Sequence, residues 1–184
     1  MAPQKSLMIM MILSVCLLIS LSASATSIAA PKLSFAQKLA PKICKSSIKK
    51  DLCIKTLSRP EAVSAKDLKQ LTSVVMKIGA SEAQTALNTV IEMAKKPCPP
   101  AKLKALKECK QAFRDLLDSF HLADRHIYTN PDGMGNYTIA CLLADAARHD
   151  CINAMKAAKL QAPQLATANR DLELFAYIGY EIPY

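Results

Sequence analysis

Tryptophan is absent from this 184-residue chain, glycine occurs 4 times, and the aromatics are limited to 5 Tyr and 4 Phe. So little glycine leaves no glycine-rich loop to cradle a phosphate, and so few aromatics leave little platform for stacking sugars or bases. The chain has no internal repeat and no low-complexity segment. Beyond the N-terminal run discussed below, no apolar stretch is long enough to cross a membrane. Three histidines offer thin material for metal binding. His121 and His126 are five apart, whereas a zinc pair on one helix face needs a spacing of three or four. His149 stands beside Asp150 and Cys151, but neighbours in a helix do not face each other, which disfavours a Cys/His nucleophile. Asp115 with Asp118, and Glu108 with Asp115, sit among lysines at helical spacing and read as a solvated face. No catalytic residue, no metal site and no cofactor is therefore expected.

What is present points to an exported protein. Lys5 precedes the apolar run LMIMMILSVCLLISL, and Ala23-Ser24-Ala25 supplies the small residues of a cleavage site. That order reads as a signal peptide over residues 1–25. Cleavage would leave a chain beginning near Thr26, with Cys16 lost and about 159 residues remaining, enough for one domain with its own core. The net charge of +9 would fall to +8 with the loss of Lys5. Such a charge suits an acidic protein or an acidic matrix such as a polyuronate, while evenly spread lysines on solvated helix faces explain it equally well. Nucleic acid is not an expected partner of an exported chain, nor is a membrane after cleavage.

Abundant alanine, leucine, lysine and methionine favour an all-α fold. Ser34 to Leu57 reads as short helical pieces interrupted at Pro41 and at SSIKK. A long helix follows, with Ser64 as N-cap and Asp67 completing a capping-box-like pattern. Its apolar positions are Leu68, Leu71, Val75, Ile78, Ala83, Leu87, Val90, Ile91 and Ala94. Pro97-Cys98-Pro99-Pro100 ends it. The next stripe is Leu106, Cys109, Phe113, Leu116 and Phe120, in steps of three and four. Asn130 to Asn136, NPDGMGN, reads as a turn. Tyr137, Ala140, Ala144, Ala147, Cys151, Ala154 and Ala158 form a stripe of mostly small residues, so that a neighbouring helix can approach closely. After Ala162-Pro163 a last helix spans roughly Thr167 to Tyr180. Four long helices with short connections predict an up-and-down bundle.

The cysteines constrain that bundle. In one continuous helix Cys44 and Cys53 would stand roughly 13 Å apart, beyond the reach of about 7 Å that a disulfide allows. If they pair, the chain folds back near Ser46 to Lys50 into a helical hairpin. Cys109 and Cys151 lie on the inner stripes of consecutive helices, and an antiparallel pair would bring them face to face. In that register Cys98 and Cys141 fall near opposite ends of the bundle, so both are expected to keep their thiols. Cys141 reads as a buried thiol, and Cys98, in the proline-rich connection, as the residue through which an intermolecular disulfide would form. Asn136-Tyr137-Thr138 is an N-glycosylation sequon, with helix capping by Asn136 as the competing role.

Several segments together resemble a known family. They are CKSSIKKDLC, a long helix, LKALKECKQAFRDLL, CINAM some 40 residues on, and the tail NRDLELFAYI. This pattern, from about Cys44 to Ile178, resembles the plant invertase and pectin methylesterase inhibitor family. The resemblance implies a four-helix bundle with an N-terminal helical hairpin over residues 26–184, stapled by Cys44–Cys53 and Cys109–Cys151. It also implies a secreted inhibitor that binds a carbohydrate-modifying enzyme without catalysis, in the cell wall or apoplast or, alternatively, the vacuole. The family's invertase inhibitors often carry Pro-Lys-Phe before the fourth cysteine. Here ACLLADAARHDC replaces that stretch, which leans toward pectin methylesterase over invertase. A structural or carrier protein of the cell wall is the alternative of another class.

Overall fold

The computed structural model describes residues 33–47, 49–129 and 134–182. The expected signal peptide lies outside these residues. Seven helices are found among them, and no strand.

The hairpin comes first. Helix α1 (Phe35–Ile43) opens on a capping box, in which Ser34 Oγ accepts from the Gln37 amide while Gln37 Oε1 accepts from the Ser34 amide. Pro41 lies inside this helix and does not interrupt it. A proline removes one donor, and here only two helical residues follow it, so the break expected at Pro41 falls instead after Ile43. The chain then turns through Cys44 to Ser47 and returns as α2 (Lys50–Leu57). The Cys44–Cys53 disulfide closes the turn, with 5.7 Å between Cα atoms. A short helix α3 (Pro60–Val63), opened by a proline in its first turn, leads into the bundle.

The four bundle helices are α4 (Leu68–Ala94), α5 (Pro100–Thr129), α6 (Met134–Ala157) and α7 (Pro163–Glu181). Each packs on the next in sequence, and α7 closes the ring against α4. Asp67 caps α4 by accepting from the Gln70 amide at 2.8 Å. Ser64, the N-cap expected from sequence, instead ends α3, its hydroxyl donating to Glu61 O. The last helix begins four residues before the expected Thr167, because Pro163 stands in its first turn, where a missing N–H leaves nothing unpaired.

The apolar stripes face inward as their spacing dictates. Leu71, Val75, Leu87 and Val90 of α4 are buried, as are Leu106, Phe113, Leu116 and Phe120 of α5, and Leu172, Phe175 and Ile178 of α7. On α6 the buried positions are small: Ala140, Ala144, Ala147 and Ala154. This lets α5 and α6 approach closely, and the Cys109–Cys151 bridge joins them with Cα atoms 4.2 Å apart. Gly79 serves the same purpose between α4 and α5. A Cβ there would lie 2.8 Å from Phe120 Cε1, so the buried Phe120 ring occupies the space that only glycine leaves open.

Candidate inhibitory surface

Two polar contacts anchor the hairpin to the last helix. Lys49 Nζ donates to Arg170 O and pairs with Asp171 at 3.2 Å. The Tyr177 hydroxyl lies 3.5 Å from Ile43 O as donor. Burial, and then the Glu181 carboxylate, raise the Tyr177 phenol above its ordinary value of 10.0, against the opposing pull of a Ser46 hydrogen bond. These contacts hold the hairpin against α7.

On the α5–α6 face the small residues Ala112 and Ala154 floor a groove of about 490 Å³. Glu108 and Asp115 line it from α5, and Asp150 and Asn153 from α6. Asp115 accepts from Gln111 Nε2 at 2.9 Å, and Glu108 stands 3.9 Å from Lys104. Three carboxylates thus converge on a chain whose net charge is +9. Net charge does not describe this groove: its charged lining residues are all carboxylates, and Lys104 approaches it only through Glu108. Two turns from Asp150 on the same stripe of α6 lies Leu143, beside Leu142, and these two are 50% and 61% exposed. An adjacent pair of exposed leucines next to an acidic groove has the apolar and charged parts of a docking surface.

Behind this face Arg148 is buried and bonds Asp145 Oδ1 at 2.8 Å from its own helix and Glu173 Oε1 at 3.4 Å from α7. It clamps α6 to α7 and holds the outward stripe in register. His149 lies 3.7 Å from Asp145 through Nε2, and no metal-holding cluster of His, Cys, Asp or Glu occurs among the described residues. Cys151 is in its disulfide, so no thiolate stands beside His149.

Cys98 and Cys141 take part in neither disulfide. Cys141 is buried, and Cys98 is half-buried against the core. Most of the NPDGMGN turn lies outside the described residues. Asn136 falls within the first turn of α6, which starts at Met134, rather than at a cap position. Sequence reasoning took Glu108 and Asp115 as part of a solvated face and did not single out Leu142, Leu143 or Arg148. The signal for the leucines was available: they lie off the alanine stripe and so outside the buried seam.

Comparison with known proteins places this architecture. A search of curated proteins found no match. Among solved structures, a mutant form of a pectin methylesterase inhibitor from Arabidopsis superimposes with a TM-score of 0.69 at 16% identity, covering 78% of this chain and 94% of that one. A pectin methylesterase inhibitor from Arabidopsis thaliana matches with a TM-score of 0.59 at 14% identity, covering 80% and 97%. Both likenesses are of fold. The model of the plant invertase/pectin methylesterase inhibitor family matches residues 38–173, which takes in most of the hairpin and nearly all of the bundle, and the chain belongs to that family.

Proposed function

We propose that this protein inhibits a pectin methylesterase by docking its bundle on the enzyme and denying pectin access to the cleft. The observation that carries the reading is the family match across residues 38–173. The bound form requires no chemistry of the inhibitor. It requires a rigid surface, and two disulfides together with helices packed through alanine seams supply one. Leu142 and Leu143 are the apolar anchors on this reading, and the acidic groove beside them selects a basic rim on the target. Both solved structures of this fold named above are of pectin methylesterase inhibitors. An invertase is the second reading, and the stretch before Cys151 lacks the Pro-Lys-Phe that would favour it.

Export completes the proposal. Residues 1–25 act as a signal peptide and residues 26–184 form the mature inhibitor, in the cell wall space or, as a second destination, the vacuole. The two disulfides suit an oxidising compartment, and no helix among the described residues is long and apolar enough to cross a membrane. Asn136 is the glycan acceptor on this reading. An intermolecular disulfide would have to draw Cys98 out of its packing against the core, which makes the monomer the working form.

The test titrates the purified protein against a plant pectin methylesterase and a plant invertase, following ester hydrolysis and sucrose hydrolysis. Stoichiometric loss of esterase activity is expected. Full activity of both enzymes at a large excess of the protein would sink the reading. Leu142→Asp with Leu143→Asp is expected to weaken inhibition by about tenfold per leucine, with an unchanged melting temperature.

A further inference from the structure

The positive charge of the chain is concentrated in the hairpin. Residues 34–57 hold six lysines and one acid, Asp51, for a net +5 out of the chain's +9. Residues 68–181, the four bundle helices with their connections, hold 14 basic and 12 acidic residues, for a net +2. A stretch of 24 residues thus outweighs one of 114. Solvation of helix faces does not require this, because the bundle keeps its own faces solvated with charges of both signs.

Packing turns these lysines outward. Helix α1 buries Ala36, Ala40 and Ile43 in the core, which fixes its free side. Lys38 and Lys42, with Lys45 just beyond the helix end, repeat the same i, i+4, i+7 spacing on the opposite side. They advance by roughly 6 Å and then roughly 4.5 Å along the axis, a row of about 10 Å. Lys50 and Lys55 add two cations on α2. All five are exposed, and none has an ion-pair or side-chain hydrogen-bond partner among the described residues. Of the hairpin lysines only Lys49 is neutralised, by Asp171. Local electrostatics oppose the arrangement. Like charges four apart on a helix repel, and Lys50 opens α2, where the helix dipole favours an anion.

A row of unpaired cations on a fixed support calls for a row of anions. The Cys44–Cys53 bridge ties α1 to α2, so the backbone that carries the cations is ordered before binding. We propose that the hairpin binds a linear polycarboxylate, a de-esterified polyuronate, along Lys38, Lys42 and Lys45 with Lys50 and Lys55 beside them. The charges select a polymer over a single anion. An exposed lysine holds one carboxylate weakly, whereas a chain of carboxylates engages several lysines at once and releases its condensed counterions. A bilayer is the poorer fit, because the apolar side of α1 is committed to the core and cannot insert. Ester hydrolysis by the target of the proposed function leaves such carboxylates on pectin, so the hairpin would hold the inhibitor where that enzyme has acted. The row shares no residue with the α5–α6 face and is tested with no enzyme present, so this inference and the inhibitor reading can fail separately.

The test is calorimetric titration of the purified protein with polygalacturonate, with the same polymer fully methyl-esterified, and with phosphatidylglycerol vesicles. Polygalacturonate is expected to bind at least about tenfold more tightly than the other two, and to lose about tenfold in affinity between about 50 and about 200 mM salt. Lys38→Gln/Lys42→Gln/Lys45→Gln is expected to weaken binding about tenfold and to flatten the salt dependence. Lys107→Gln/Lys156→Gln/Lys159→Gln removes the same charge from exposed positions of the bundle and is expected to change the affinity by no more than about twofold. Both variants alter only exposed side chains, so both should melt with the parent. No binding of polygalacturonate at low salt overturns the proposal. Equal binding of the esterified polymer overturns it too, as does tighter binding to the vesicles. Equal losses from the two triple variants would overturn it as well, by showing that net charge alone governs.

Discussion

The two disulfides close loops of very different length, and their removal should separate accordingly. Cys44 and Cys53 are 9 residues apart, whereas Cys109 and Cys151 are 42 apart. In the chain-entropy model the shorter loop gives about 2.6 kcal/mol and the longer about 4 kcal/mol at room temperature. All four cysteines are fully buried, so replacing each pair by alanine removes similar apolar area, and the comparison isolates loop length. The hairpin belongs to the same core cluster as the bundle through Ala36, Ile43 and Leu57, so both losses should register in one cooperative transition. Urea unfolding of the two double variants, Cys44→Ala/Cys53→Ala and Cys109→Ala/Cys151→Ala, measures this under conditions where the parent bridges stay oxidised. The bundle pair is expected to cost about 1.4 kcal/mol more than the hairpin pair. A larger loss from the hairpin pair would refute the reasoning, because it would mean that native-state packing, and not unfolded-state entropy, governs the bridges.

Three further outcomes follow from single side chains. The Tyr177 phenol is raised in the folded state, so its contribution is complete below the unfolded value of 10.0 and is lost as pH rises through the folded value. The protein should therefore lose stability relative to Tyr177→Phe above pH 10, and parallel denaturation midpoints between pH 9 and 11 would contradict this. Arg148→Ala should cost about 1–3 kcal/mol in urea unfolding. Arg148→Met should cost less, because it keeps the buried stem while water solvates the half-exposed Asp145 and Glu173; equal losses would show that charge, not packing, dominates. Gly79→Ala gains about 1 kcal/mol of helix propensity but forces a carbon to within 2.8 Å of Phe120. Overpacking of about 1–3 kcal/mol should outweigh the gain, and a thermal melt showing stabilisation would mean that the ring moves aside freely.

Much of this protein was determined by its sequence alone. Apolar spacing defined the four bundle helices, because a helix must bury one stripe whatever it packs against. Cys44 and Cys53, too far apart for one helix, required a reversal if they were to bond. Proline is the weaker guide: the sequence predicts a break at Pro41 and a separator at Pro163, yet the first lies inside a helix and the second opens one. Whether a proline ends or begins a helix depends on which donors are already unpaired, and local sequence states this poorly. Only the tertiary structure decided the surfaces. Glu108, Asp115 and Asp150 are ordinary charges along their own helices and become a groove when α5 and α6 meet across their alanines. Lys38, Lys42 and Lys45 are left as an exposed row because Ala36, Ala40 and Ile43 turn the opposite side of α1 into the core. Burial follows from periodicity within one helix, but convergence of polar groups depends on how two helices are placed, which no single stretch of sequence encodes.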